Sequence, residues 1–519
     1  MDDRIELLRA KKAAALLEEG GQERMKKQHE RGKLTARERL AKLLDPDSFV
    51  EHHMLAGEDK DVEAGIYGDG VITGFGKING RRVAVYSQDA TVHAGSTGAI
   101  HREKLCELIN TAIRVRLPLI GLHDSAGGRM KTQGEAITKN SFGIPSMFGA
   151  HTRASGLIPQ ITVILGSCAG NAVYGPALTD FIFVVKGVSY MFVTGPRVVK
   201  EVMSTDVTKE ELGGARVHSE VSGVADFLMN NEEECFQQIR RLVSFLPSNN
   251  TESPPIVDTG DGPNRMDDDL NHIVPTESKR AFDMHQIINR IVDNGDFFEV
   301  KTRFARNMIV GFARLNGRTV GFVANQPMVY AGALTVNGSD KEARFIRFCD
   351  AFNIPLVFLA ENPGYMPGIE QEHAGIIRHG AKVLYAINEA TVPKITVLIR
   401  KCVGGGGPGM NQYRDIGGAD RLFAWTSFEG RATTGVEGQV SILYRKEIAE
   451  AENPDEYRAQ KVKEFQQRRS GPFDEAASGR LDDVFEPRET RPKLISHLEM
   501  LADKADISRL PKKHGNMPM

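Results

Sequence analysis

Gly74-Phe75-Gly76-Lys77-Ile78-Asn79-Gly80-Arg81 returns 237 positions later as Gly311-Phe312-Ala313-Arg314-Leu315-Asn316-Gly317-Arg318. At the same offset Ala94-Gly95 becomes Ala331-Gly332, and Pro118-Leu119-Ile120 becomes Pro355-Leu356-Val357. Asp124 becomes Glu361 and Gly127 becomes Gly364. Three residues then drop out. At an offset of 234, Ile161-Thr162-Val163-Ile164 returns as Ile395-Thr396-Val397-Leu398, Cys168 as Cys402 and Gly170 as Gly404. A period of about 20–50 residues would mean a solenoid; a single repeat of this length means two homologous domains.

Outward from the repeat, the apolar runs Val83–Tyr86, Leu117–Leu122 and Ile161–Leu165 read as strands buried on both faces. A helix is expected from about Ala99 to Arg116, and Asn79-Gly80 has hairpin-turn chemistry. Strands alternating with helices give an α/β class. Residues 1 to about 45 read as a helical structural arm, with Thr35-Ala36-Arg37-Glu38 spaced as a capping box. Pro247 to about Lys279 is crowded with Ser, Asn, Thr, Asp, Gly and Pro, the composition of a linker. The expected domains are therefore residues 1–262 and 263–510. The closing stretch from Pro511 to Met519 has no core pattern and is expected on a neighbour or in solvent.

Composition narrows the function. At 519 residues there is length for roughly two to four domains. A net charge of −2 argues against a nucleic-acid partner. The five cysteines form no CxxC and no disulfide framework, which fits a reducing compartment. No run approaches the ~18 apolar residues of a membrane span. The start Met1-Asp2-Asp3 has no signal-peptide core, so the cytoplasm is the expected location. His52, His53 and His93 lack metal-ligand spacing, and no metal site is expected.

Chemistry concentrates where buried strands run into glycines. Ile161–Leu165 leads into Gly166-Ser167-Cys168-Ala169-Gly170-Asn171, with a helix expected from Ala172. Ile395–Ile399 leads into Arg400-Lys401-Cys402-Val403-Gly404-Gly405-Gly406-Gly407-Pro408-Gly409. Helix N-termini present unpaired N–H groups, and glycine lets an oxygen approach them closely. The loops Asp124–Arg129 and Glu361–Tyr365 can add a second N–H to each, making two oxyanion holes. Gly404, Gly406 and Gly409 match a dinucleotide fingerprint by spacing, but Pro408 interrupts it. No P-loop is present, and Ser125, Ser167, His123 and Asp124 lack a nucleophile elbow.

At these loops the chain resembles the carboxyltransferase subunit of biotin-dependent acyl-CoA carboxylases, most of all the propionyl-CoA carboxylase β-chains. The resemblance runs through Gly32–Arg39, Ser87-Gln88-Asp89, Tyr174–Phe181, Tyr190–Pro196, Ala324-Asn325-Gln326-Pro327, Pro363–Gly368, Gly375–Arg378 and Lys512–Asn516. It implies two crotonase-like domains in tandem behind the helical arm. The first would take acyl-CoA and the second carboxybiotin, with the active site between one subunit and its partner in a homo-hexamer. No Ala-Met-Lys-Met site or ATP-binding domain is seen, so biotin would arrive on a biotin carboxylase or carboxyl carrier partner. CO2 released from carboxybiotin would be attacked by the enolate formed when the biotin N1 anion takes the α-proton.

In that scheme the N–H of Gly128, with that of Gly170 or Asn171, would hold the thioester oxygen. That of Gly364 or Tyr365, with Gly405 or Gly406, would hold the ureido oxygen, each donor worth about 3 kcal/mol in the transition state. Gly95, Ser96, Arg129, Gly407 and Pro408 complete the expected substrate contacts. The family usually has Asp-Ser-Gly-Gly-Ala-Arg, Cys-Ala-Gly-Gly and Gly-Gly-Ala-Tyr-Asp where this chain has Asp124–Arg129, Cys168–Asn171 and Gly404–Pro408. The missing Tyr and Asp lead us to expect extra room, one charge fewer, and an acyl group bulkier or differently functionalised than propionyl. Decarboxylase and transcarboxylase subunits would share these loops. An inactive scaffold is the non-enzyme alternative, and Glu135 is the one candidate base for a hydratase.

Overall fold

The structure is a computed structural model describing residues 2–16, 21–129, 146–414, 417–430, 436–467, 471–505 and 514–519. Glu135 and the Lys512-Lys513 pair lie outside them. The chain divides into two compact units, Met1–Ser253 and Pro254–Met519.

In the first unit, β1 (Val50–His52), β2 (Val71–Ile78), β3 (Arg81–Gln88), β4 (Leu119–Ser125), β5 (Gln160–Ala169), β6 (Phe181–Val185) and β8 (Phe227–Met229) pair in that order. The short β7 (Tyr190–Phe192) also pairs with β5. In the second unit the order is β9 (Phe298–Val300), β10 (Met308–Leu315), β11 (Arg318–Asn325), β12 (Leu356–Asn362), β13 (Lys394–Cys402), β14 (Arg421–Trp425) and β15 (Asp483–Phe485). Each sheet begins with three antiparallel strands, β1/β2/β3 or β9/β10/β11, of which β2/β3 and β10/β11 are hairpins, and continues in parallel. Both hairpins turn on Asn-Gly with positive φ at both residues, Asn79 (50°) and Gly80 (78°), Asn316 (51°) and Gly317 (75°). That is the primed turn whose twist matches paired strands.

Helix Ala99–Val115 crosses from β3 to β4 and buries Leu105, Leu108, Ile109 and Ala112 on one stripe against Ala84, Tyr86 and Leu119. Each buried Leu or Ile contributes about 1.5–3 kcal/mol. Helix Val336–Ala351 makes the equivalent crossover in the second unit. Lys104 and Lys341, 237 apart, both spend their ammonium groups on backbone carbonyls. Lys104 reaches Gly68 and Val71 at 2.8 and 2.5 Å; Lys341 reaches Lys301, Phe304 and Met308 at 2.9, 3.0 and 2.7 Å.

The helical arm is present as Asp2–Leu16, Gly21–Glu30 and Ala36–Leu43, the last opened by the Thr35–Glu38 capping box. The linker-like composition after Pro254 belongs instead to an ordered strap. Arg400 Nη1 takes the carbonyls of Glu277 and Arg280 at 3.2 and 3.0 Å, and Arg491 takes those of Asp261 and Gly262 at 3.1 Å each. Polar, turn-rich sequence packs here because distant arginines satisfy its backbone. At the other end, Gly515 backs onto the Tyr385 hydroxyl of its own unit.

Candidate functional site

Parallel pairing of β4 with β5 sets Ser125 opposite Cys168, and that of β12 with β13 sets Asn362 opposite Cys402. The loops leaving these strands therefore emerge side by side. In the first unit a parallel bridge joins Thr97 to Gly128: Thr97 N–H donates to the Gly127 carbonyl (2.9 Å) and Arg129 N–H to the Thr97 carbonyl (3.1 Å). Gly127 N–H donates to the Ser125 hydroxyl at 3.2 Å. Gly128 is exposed, and its own N–H has no partner among the described residues.

The second unit repeats this bond for bond. Leu334 N–H donates to the Gly364 carbonyl (3.0 Å), Met366 N–H to the Leu334 carbonyl (2.7 Å), and Gly364 N–H to Asn362 Oδ1 (3.1 Å). The unengaged amide is that of Tyr365, 237 residues after Gly128. Gly364, offered as its alternative, is committed to Asn362.

After β5, Gly170–Val173 forms one 3-10 turn and Tyr174–Ala177 one α-turn, much shorter than the helix expected from Ala172. Asn171 lies in the first turn, where N–H groups lack helical partners, and is exposed. After β13 the helix is Gly406–Gly409. Gly406 N–H closes a turn on the Val403 carbonyl at 3.2 Å, which removes it as a donor. Gly405 is exposed, and its N–H has no partner among the described residues. Asn171 and Gly405 are 234 apart, the offset of the strands leading to them. By position in the repeat, Gly128 matches Tyr365 and Asn171 matches Gly405; Gly170, the alternative to Asn171, begins the same turn.

The other expected residues are placed differently. Gly95 packs on the Asp124 carbonyl, where a Cβ would come within 2.1 Å. The Arg129 guanidinium is buried and engaged by Asp69 (2.6 Å), Glu58 (3.0 Å) and the Ser96 carbonyl (3.1 Å), so it braces the loop. Gly407 does not leave the extra room expected of it: a Cβ there would lie 1.7 Å from Nε2 of Gln412, whose buried side chain fills the space. Pro408 sits next to it, half-buried.

The side chains near the loops are poor acids and bases. His123 is buried, its Nε2 is hydrogen-bonded with the Tyr86 hydroxyl at 2.8 Å, and its pKa is pushed down to about 3 by burial. Burial pushes the Cys168 thiol up to about 12. Asp124 is held by Lys33, by Arg39 Nη1 (3.1 Å) and by Gln28 (3.1 Å). No Ser–His–Asp relay is assembled from these residues. Asp61, Asp69 and His93 bring ligand atoms within 4.8 Å of one another, but Asp69 already neutralises Arg129.

A family model described as carboxyl transferase domain matches residues 27–517. The chain belongs to the carboxyl transferase family. It is 48% identical, over all of this chain and 99% of the relative, to the methylmalonyl-CoA decarboxylase α-subunit of Veillonella parvula. It is 46% identical, over all of this chain and 94% of the relative, to the mitochondrial propionyl-CoA carboxylase β-chain of Sus scrofa. A solved transcarboxylase 12S structure, described with methylmalonyl-coenzyme A bound in a hexamer assembly, superposes with a TM-score of 0.93 at 45% identity. It covers all of this chain and 98% of that one. The two units are the tandem crotonase-like domains of this family. The chain is a carboxyltransferase subunit. The dinucleotide spacing at Gly404, Gly406 and Gly409 is a turn and a single helical turn within that fold.

Proposed function

We propose that the amides of Gly128 and Asn171 hold the thioester oxygen of the acyl-CoA, and those of Tyr365 and Gly405 the ureido oxygen of biotin. The supporting observation is the matched set of N–H groups at Gly128, Tyr365 and Gly405 with no partner among the described residues, while those of Gly127, Gly364 and Gly406 are engaged, and Asn171 at the position matching Gly405. Neutral donors of this kind suit an uncharged carbonyl that gains charge in the transition state, each worth about 3 kcal/mol. When bound as carboxybiotin, the cofactor supplies the carboxyl group. The chain's residues hold oxygens and exclude misorientation, and a neutral, engaged His123 has no part in proton transfer.

The filled space at Gly407 removes the argument for a bulky acyl group. The substrate is a short acyl-CoA of the propionyl and methylmalonyl kind, in keeping with what the relatives are named for. The biotin sits on a biotin carboxylase or carrier partner in the cytoplasm, and the chain assembles as a homo-hexamer, as the 12S structure is described. No helix among the described residues is long and apolar enough to cross a membrane. A decarboxylase or transcarboxylase direction is the second reading, favoured by the Veillonella and Propionibacterium relatives at 48% and 46% identity.

Incubating the full chain with carboxylated acyl-CoAs and free biotin, followed by mass spectrometry, tests the reading. Biotin-dependent loss of carboxyl from methylmalonyl-CoA is expected; loss only from longer acyl groups would overturn the substrate assignment. Gly405→Pro tests the donor. Gly405 has φ −63°, which proline adopts, so the change removes the N–H; its Cβ would meet the Tyr365 ring at 3.3 Å, so Gly405→Ala, which adds that Cβ and keeps the N–H, is the control. Turnover should fall about 100- to 1,000-fold with the fold intact; unaltered turnover would remove Gly405 from the site.

A further inference from the structure

Glu342, on helix Val336–Ala351, is fully buried, and neither carboxyl oxygen has a hydrogen-bond partner among the described residues. Ser339, one turn earlier on the same helix, is equally buried with its hydroxyl unpaired. The Tyr365 hydroxyl is buried and unpaired as well. It lies over Gly380 of helix Ile376–Glu389, where a Cβ would come within 2.9 Å of it, and over Gly409, where a Cβ would come within 3.1 Å. The two helices pack along one another. The Tyr365 ring also backs Gly405, whose Cβ would sit 3.3 Å from Cδ2. One side chain thus supports both amides of the second pair.

The repeat supplies an internal control. At the same offset Glu342 corresponds to Leu105, Ser339 to Arg102 and Tyr365 to Gly128. Leu105 is fully buried in an apolar cluster, so the fold accepts a hydrocarbon at this place. Unpaired buried polar groups cost about 1–3 kcal/mol each. Three of them gathered beside one copy's site, at positions where the other copy has none of these groups, are a feature of that site and not of the fold.

We propose that Glu342 is a positioning residue for the second amide pair, its carboxyl engaging the Tyr365 hydroxyl through one water and so fixing the ring behind the Tyr365 and Gly405 amides. Burial pushes the Glu342 carboxyl well above the usual range. The protonated acid then has one donor and remaining acceptor capacity, the complement of a phenol. Burial pushes the Tyr365 phenol up too, so it stays a donor. A site roomy enough for one water, with these three polar partners, would satisfy Ser339 as well.

The inference rests on the assignment of this pair to biotin. The test uses the full chain with methylmalonyl-CoA and free biotin, comparing Glu342→Leu, Glu342→Gln, Tyr365→Phe and the Leu/Phe double variant. Glu342→Leu and Tyr365→Phe should each lower kcat/KM for biotin by about tenfold, leaving the KM for methylmalonyl-CoA unchanged. The double variant should be no worse than either, and Glu342→Gln should recover most of the loss. Wild-type biotin kinetics in Tyr365→Phe, or losses that multiply in the double variant, would overturn it. So would Glu342→Gln as impaired as the leucine variant. If Glu342→Leu does not fold, Tyr365→Phe and Glu342→Gln still decide. A silent Gly405→Pro would sink the biotin assignment itself; an impaired Gly405→Pro beside silent Glu342 and Tyr365 variants would sink only the positioning role.

Discussion

In the first copy, the acid near the end of β4 is Asp124, and its cations come from far away: Lys33 and Arg39 of the helical arm. Arg39 also grips Glu232 in a two-bond fork at 2.9 and 2.8 Å and the Leu165 carbonyl at 2.9 Å. In the second copy the matching Glu361 is held at 3.1 and 2.9 Å by Arg400, a residue of the adjacent strand. The residue matching Arg400 is Gly166, where a Cβ would meet Asp124 Oδ1 at 1.8 Å and Lys33 Nζ at 2.9 Å. The arm therefore occupies the place that an arginine of the strand fills in the other half. One geometric need, a cation beneath the loop that carries an open amide, is met by two unrelated parts of the chain.

Removing Arg400 should have the largest effect. Arg400→Met leaves the Glu361 carboxyl buried without its partner, which costs about 3–5 kcal/mol. The single tryptophan, Trp425, is fully buried in the second unit and bonded to Thr490 at 2.9 Å, so its fluorescence reports that unit. The Trp425 unfolding transition should move to lower urea in Arg400→Met. Arg39→Met should shift the circular dichroism transition more than the fluorescence. Equal fluorescence shifts in both variants would break the comparison.

The glycine helix offers an intermediate effect. Gly407 and Gln412 stand where the first copy has Val173 and Leu178 at the same offset, so a hydrocarbon pair has become a gap and an amide that fills it. Gly407→Ala should cost about 1–3 kcal/mol by overpacking. Adding Gln412→Ala should recover about 1 kcal/mol or more of it through coupling. Additive losses in thermal melts would show that Gln412 does not fill the gap.

The smallest effect is a pH slope. His285 is raised above its ordinary 6.5 chiefly by its hydrogen bond to Glu299 (2.8 Å), against burial, with Asp283 adding at 2.9 Å. A raised folded value means that the stabilisation is complete below 6.5 and is lost as pH rises through the higher folded value. Stability read at Trp425 should therefore decline as pH rises from 6 upward through that value, and His285→Gln should flatten the decline. An identical slope in the variant would exclude His285.

The duplication, the hairpins on Asn-Gly, the capping box at Thr35 and the two glycine-bearing strand ends were legible in the residues themselves, because each rests on local spacing. Which amide of Gly364 and Tyr365 stays open was not, since it turns on the Asn362 side chain folding back to Gly364. The strap after Pro254 read as a linker because its satisfying arginines lie more than 100 residues away. The space at Gly407 was misread because what fills it, Gln412, comes from beyond the motif. Glu342 was missed altogether, although setting it against Leu105 across the repeat would have exposed a lone acid in an apolar row.

The two clamps also differ in when they can form. Arg400 is made 39 residues after the carboxylate it meets, so its partner is already waiting. Arg39 precedes Asp124 by 85 residues and Glu232 by 193. At a synthesis rate of about 5–20 residues per second, it leaves the ribosome about 10–40 seconds before Glu232 exists. For that interval the Arg39 clamp is incomplete, and the arm is open to chaperones, to other nascent chains and to any tag fused ahead of it. The clamp of the half made first therefore waits longer for its partners than that of the second, and the pace of translation between Arg39 and Glu232 sets how long it waits.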